Sequence, residues 1–352
     1  MFDGDFEKAK RWMRRVVSSF RIRKIDQVFV PDEIGEIRLF MVVRNESLRL
    51  PYLLKYYFGR GVDRAFVIDN NSTDDTVSFL LSQKNTHVFQ TRESYNRNDA
   101  WLDFLLHRYG EGHWCIVADA DEMLMWPHWK ELSLRELCGF LDGEGYNALH
   151  SFVLDMYSDK PVRLTSYEQG GDPLLSACFF DPDSHTKVPI VPCPRLSQKF
   201  VVIGGVRKRI FGIEVCLSNF PLVRFGPEMF LSPGTHFIEG ASIADIEGAT
   251  LHFKFLHDFN SRAVEEAERE EHWDNAVEYK AYAKRIRQHP DLNLHYSRST
   301  QFAGSDQLVN FGIMKTSENL DAFVETIVSR KGKKKVREIY HVGKAMDKES
   351  FQ

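Results

Sequence analysis

Cys115-Ile116-Val117-Ala118-Asp119-Ala120-Asp121-Glu122 is an apolar run that ends directly in three carboxylates. Four apolar residues ahead of a polar cluster read as a buried strand whose C-terminal end carries chemistry. Three similar units precede it. Leu39–Val43 reads as a strand followed by Leu50, Leu53, Leu54 and Tyr57 at helical spacing. Ala65–Ile68 is a second strand, which turns through Asp69-Asn70-Asn71-Ser72-Thr73 into a helix carrying Val77, Leu80 and Leu81. His87–Gln90 is a third, ahead of Leu102, Leu105, Leu106 and Tyr109. Downstream, Ser133 and Glu136 form a capping box at the start of a helix over 133–141, and Asn147–Leu154 is a fifth strand. This alternation predicts an α/β fold with a doubly wound, mostly parallel sheet over residues 31 to about 155.

Residues 156–256 are richer in Pro and Gly, with short apolar segments, and are expected to form a mixed region laid over that sheet. Within it, Leu251-His252-Phe253-Lys254-Phe255 alternates, setting His252 and Lys254 on one face and three apolar residues on the other. A long charged helix is predicted from Ser261 to His289, and a short one around Leu320, Phe323, Val324 and Ile327. The expected organisation is a basic amphipathic segment at 1–30, a catalytic domain at 31–256, and a helical extension with a basic tail at 257–352.

The 352 residues carry 46 basic and 50 acidic side chains, a net charge of −4 that argues against duplex nucleic acid as the main partner. Five cysteines without a CxxC read as free thiols of a reducing, cytoplasmic setting. No apolar run reaches the 18 or so residues of a spanning helix. Between Lys8 and Lys24, eight basic residues alternate with Trp12, Met13, Val16, Val17, Phe20 and Ile22. That pattern fits a helix docked on the core, or one in peripheral contact with the inner membrane.

In a doubly wound sheet, ligands bind beyond the carboxyl ends of the strands, where the strand order reverses. Three clusters occupy such ends: Arg44-Asn45-Glu46, Asp69 to Asp74, and Asp119 to Glu122. Two carboxylates one residue apart, as in Asp119 and Asp121, can converge on a hard divalent cation that keeps positions open for substrate phosphate.

Val42-Val43-Arg44-Asn45-Glu46, Val67-Ile68-Asp69-Asn70-Asn71-Ser72-Thr73-Asp74 and Ala118-Asp119-Ala120-Asp121-Glu122 resemble, in order and spacing, the nucleotide-sugar glycosyltransferases of the Rossmann-like GT-A fold. Within these the chain looks like the bacterial family 2-like branch with an Asp-Ala-Asp-Glu motif. The resemblance implies a nucleoside diphosphate sugar donor, UDP-linked by expectation, and a glycan or lipid-linked acceptor. Mn²⁺ or Mg²⁺ would be the cofactor and inversion the stereochemical outcome. It places Asp69 against the nucleobase with Arg44, Asn45 and Glu46 alongside, Asp119 near ribose and metal, and Asp121 as direct metal ligand. His252 matches a late metal ligand, and Lys254 would face the departing diphosphate. For the carboxylate that takes the acceptor proton, Asp155 at the end of the fifth strand is the first choice, Glu239 the second and Glu214 the third. Arg207 and Arg209, on one face if their segment is extended, could grip an anionic acceptor or form surface ion pairs, and the surface reading is favoured. Two other functions share parts of this pattern: a non-catalytic carbohydrate-binding protein, and a haloacid-dehalogenase-like phosphatase, whose Asp-x-Asp follows the first strand rather than the fourth.

Overall fold

The computed structural model describes residues 2–331 apart from Pro192 and Pro194, so most of the basic run at 330–335 lies outside the described residues. Nine strands make the central sheet: β1 (Arg23–Lys24), β2 (Ile37–Val43), β3 (Arg64–Asp69), β4 (Thr86–Gln90), β5 (Trp114–Val117), β6 (Glu122–Met125), β7 (Ala148–Asp155), β8 (Ser218–Arg224) and β9 (Ile243–His252). Their order across the sheet is β1-β4-β3-β2-β5-β8-β7-β9-β6. β4, β3, β2 and β5 are mutually parallel, as are β7 and β9, while β1, β8 and β6 each pair antiparallel with their neighbours. The fold is therefore α/β with a mixed, largely parallel sheet, and the order reverses at β2, which has β3 on one side and β5 on the other.

Alternation within the strands feeds two cores. Leu39, Met41 and Val43 of β2 join Ala65 and Val67 of β3 in one; Phe40, Val42, Phe66 and Ile68 join the other. Burial on both faces explains why these strands are continuous apolar runs. Each fully buried Val, Leu, Ile, Phe or Met side chain contributes about 1.5 to 3 kcal/mol relative to exposure.

Helices α1 (Phe2–Arg21), α2 (Leu50–Arg60), α3 (Thr76–Ser82), α4 (Asn98–Tyr109) and α5 (Leu134–Gly143) connect or flank the strands of the first half. The capping box of Ser133 and Glu136 is formed as the sequence predicts. The region 156–256 departs from expectation. It does not simply lie over the sheet, because β8 and β9 enter it, β8 wedging between β5 and β7. The predicted long helix at 261–289 is also two helices, α7 (Phe259–Arg269) and α8 (Trp273–Gln288), broken where Glu270 adopts φ 55°. The break folds α7 and α8 against each other, and with α6 (Gly205–Phe211) they build a third core of Val206, Phe255, Phe259, Tyr282 and Ile286. This core covers the carboxyl edge of the sheet beside β7 and β9.

Candidate active site

The carboxyl ends of β2, β3, β5, β7 and β9 deliver Glu46, Asp69, Asp121, Asp155 and His252 to one edge of the sheet. Strand register does the close positioning. Asp155 and His252 are partners across the parallel β7–β9 pair, and His252 is the partner of Glu122 across the antiparallel β9–β6 pair. The Phe253 amide donates to the Asp121 carbonyl at 2.8 Å, tying the end of β9 to the Asp119–Asp121 turn.

His252 consequently sits between two carboxylates. Its Nδ1 is 2.7 Å from Asp155 Oδ1 and its Nε2 is 3.5 Å from Asp121 Oδ2. Arg207 grips Asp155 from behind, Nε donating to Oδ2 at 2.8 Å and Nη2 to Oδ1 at 2.9 Å, while Nη1 reaches Glu278 at 3.3 Å. Lys254 Nζ lies 3.5 Å from the same Glu278 oxygen and 5.2 Å from the centre of the Tyr279 ring. The side chains of His252 and Lys254 are gathered on the same cluster, but not by the strand alternation expected over 251–255: β9 ends at His252, and Phe255 packs in a different core from Leu251 and Phe253.

These pairings fix the charges. Burial opposes a charge on His252, yet Asp121 and Asp155 together push its pKa up to about 9. Burial would raise both partner carboxyls as well, but His252 holds Asp121, and Arg207 with His252 holds Asp155, well below the usual carboxylate range. For Glu278, Lys254 and Arg207 outweigh burial and bring it down to about 2. Asp119 is exposed beyond the end of β5, yet the surrounding protein and the Asp121 charge push its carboxyl up. Glu122, packed in and facing Asp119, is raised too.

Among the described residues no three His, Cys, Asp or Glu side chains form a ready-made metal cage. What is present is a carboxylate and an imidazole nitrogen side by side, with Asp155 on the far ring nitrogen; the Nε2 proton that pairs with Asp121 would have to leave for a metal to take its place. A carboxylate behind a metal-binding histidine fixes the tautomer that offers Nε2. This donor set fits a hard divalent ion that draws its remaining ligands from substrate oxygens and water.

The other predicted positions bind the loops to each other. The Asn45 amide donates to Ser72 Oγ at 2.9 Å, and its Oδ1 accepts from the Thr73 amide at 2.8 Å, at φ 53°. Glu46 is buried between Arg49 and Arg262. Arg49 forks onto Asp258 at 2.8 and 2.7 Å, clamping the start of α7 over the β2 loop. Asp69 is fully buried, its carboxylate accepting from the Ser72 amide at 3.2 Å and from Gln90 Nε2 at 3.1 Å. Arg44 Nη1 lies 3.4 Å from the Asn70 carbonyl, and Arg44 Nε and Asn70 Oδ1 are buried with no hydrogen-bond partner. An orphaned donor and an orphaned acceptor on these neighbouring loops are polar groups a ligand could satisfy, since buried polar groups are nearly always paired.

Three expectations need correction. Asp155 has no oxygen free for an acceptor proton, because both are held by Arg207 and one also by His252. Glu239 lies ahead of the first residue of β9, whereas His252 is its last. Both Glu239 oxygens are held by Arg11 of α1, at 2.9 and 2.8 Å, so its carboxylate is engaged as well. Arg207 is 7% exposed rather than superficial, because 205–211 is a helix, not an extended segment. Arg209, partly buried, forks onto Asp181 at 2.8 and 3.0 Å. Glu214 pairs with exposed Lys208. Sequence reasoning also missed Glu278, Arg49 and Arg262. Only Arg207 had a signal, the Gly204-Gly205 pair: both have positive φ, and a Cβ on Gly204 would stand 2.3 Å from the Ser184 carbonyl oxygen.

No protein-family profile matches the chain, and no curated protein matches it in sequence. Among solved structures it aligns with S. aureus TarS at 14% identity and a TM-score of 0.30, over 73% of this chain and 44% of that one. The chain thus spans less than half the length of TarS, and a likeness this remote carries no functional argument.

Proposed function

We propose that the chain is a glycosyltransferase that moves a sugar from a nucleoside diphosphate donor to a hydroxyl of a carbohydrate or lipid-linked acceptor. The observation that carries this reading is the Asp121–His252–Asp155–Arg207 chain of contacts at the carboxyl edge of the sheet, beyond β7 and β9. A divalent ion on Asp121 and His252 would neutralise charge on the leaving diphosphate. The protein's own residues do the rest. Arg207 and Asp155 hold the His252 ring, and Lys254 supplies a second positive charge on the same side. Burial weakens that charge, but Tyr279 and Glu278 more than offset it, pushing the Lys254 pKa up to about 12.

The loops of Arg44 and Asn70 take the nucleobase end; Asp69, buried beneath the Ser72 amide, adds an acceptor for a ring N–H once that loop opens. Asp119, at the end of β5 beside β2, lies between these loops and the ion site. Of the cluster's carboxylates, Asp155, Glu278 and Glu46 are engaged by cations, and Asp121 is taken by the metal. Asp119 and Glu122 remain to accept the acceptor's proton. As that proton leaves, the acceptor oxygen bonds to the anomeric carbon, and the diphosphate departs from the opposite face with the electron pair, inverting the centre. Incubating the chain with a panel of nucleotide sugars and Mn²⁺ tests this. Nucleotide release by the native chain and none by Asp121→Asn supports the reading; no release from any sugar, with or without acceptor glycans, opposes it.

A further inference from the structure

Helix α1 is held by its polar side. Ser18 and Ile22 are buried, Arg11 forks onto Glu239 at 2.9 and 2.8 Å and stacks 3.7 Å from the Phe230 ring centre, and Arg15 lies 3.4 Å from Asp103 of α4. At 100° per residue these four positions share one face. The opposite face is apolar and open: Trp12, Met13, Val17 and Phe20 are 59, 61, 41 and 83% exposed. Exposed Arg14 and Arg21 border that stripe. A soluble helix ordinarily turns such a stripe toward the core, and a contiguous exposed one marks an interaction surface.

We propose that this face docks on an anionic lipid surface. An apolar stripe with cations along its border lets Trp12, Met13, Val17 and Phe20 enter the headgroup–acyl boundary while Arg14 and Arg21 meet lipid phosphates. A second copy of the chain fits less well, because a two-fold contact would set the same cationic borders against each other. The end of α1 also reaches the active-site edge. Arg21 Nε is 3.7 Å from Glu93, which leads out of the carboxyl end of β4, so docking would bring that edge close to a membrane. The inference does not rest on the transfer reaction.

Co-sedimentation of the full chain with phosphatidylcholine vesicles, with and without phosphatidylglycerol, tests it. Binding is expected only to the anionic vesicles. It should weaken about tenfold in Met13→Ser/Phe20→Ser, and also in Arg14→Glu, a single exposed change that serves if the double variant loses its thermal transition. Absence of binding, or equal binding by native and Arg14→Glu chains, overturns the proposal. So does a concentration-dependent dimer in sedimentation velocity that Met13→Ser/Phe20→Ser abolishes.

Discussion

Asp155 and His252 end two parallel strands in register, and the Asp155 carboxylate accepts from the His252 ring across 2.7 Å. The contact lets Asp155, itself held by Arg207, orient the ring that faces Asp121. Asp155→Asn keeps the volume but removes the charge that orients His252 and pairs Arg207. Calorimetric Mn²⁺ affinity should fall about 10- to 100-fold, as for other carboxylates behind metal-binding histidines. Because Arg207 is left buried with half its partners, unfolding should also become easier by about 3 to 5 kcal/mol in urea titrations.

Gly204→Ala should act on the same site from outside. At φ 113° with the Ser184 carbonyl 2.3 Å from the new Cβ, the backbone entering α6 must shift and carry Arg207 with it. Strain of this kind costs about 1 to 3 kcal/mol. A thermal midpoint that drops together with Mn²⁺ affinity is the expected result.

His150 supplies a pH-dependent contribution to stability outside the site. Burial lowers its pKa to about 4, and its Nε2 is 3.0 Å from Ser218 Oγ. The unfolded chain binds this proton near pH 6.5 and the folded chain does not, so stability is complete above 6.5 and declines as pH falls toward 4. By pH 5 the loss from this residue is about 2 kcal/mol. Urea unfolding at pH 7.5 and 5.0 should show a smaller decline for His150→Gln than for the native chain.

Asp69→Asn retains an acceptor for the Ser72 amide and so preserves the loop, but loses its charge. If Asp69 accepts from a nucleobase N–H, calorimetric UDP binding should weaken by about 1.5 to 3 kcal/mol with an unchanged thermal midpoint.

Much of this arrangement is legible in the sequence because it follows from short-range pattern. Apolar runs that end at Asp69 and Asp119 place those residues at a sheet edge. What could not be read depends on contacts distant in sequence. Arg207 meets Asp155 from 52 residues away, and Arg262 meets Glu46 from 216. No local periodicity records either. Asp155 was misread for the same reason: its position at a strand end was visible, but the guanidinium that occupies it was not. The two-helix turn at Glu270 was hidden because a charged residue in the left-handed region carries no glycine to announce it.

The central claim is that Asp121 and His252 hold a cation that binds a nucleoside diphosphate at this sheet edge. Titrating UDP calorimetrically into the native chain, Asp121→Asn and His252→Ala, with and without Mn²⁺, tests it most directly. The account expects Mn²⁺ to tighten binding to the native chain at least about tenfold, near 1.4 kcal/mol, and to leave both variants unchanged. Equal affinity in all three proteins, with or without the ion, would contradict it.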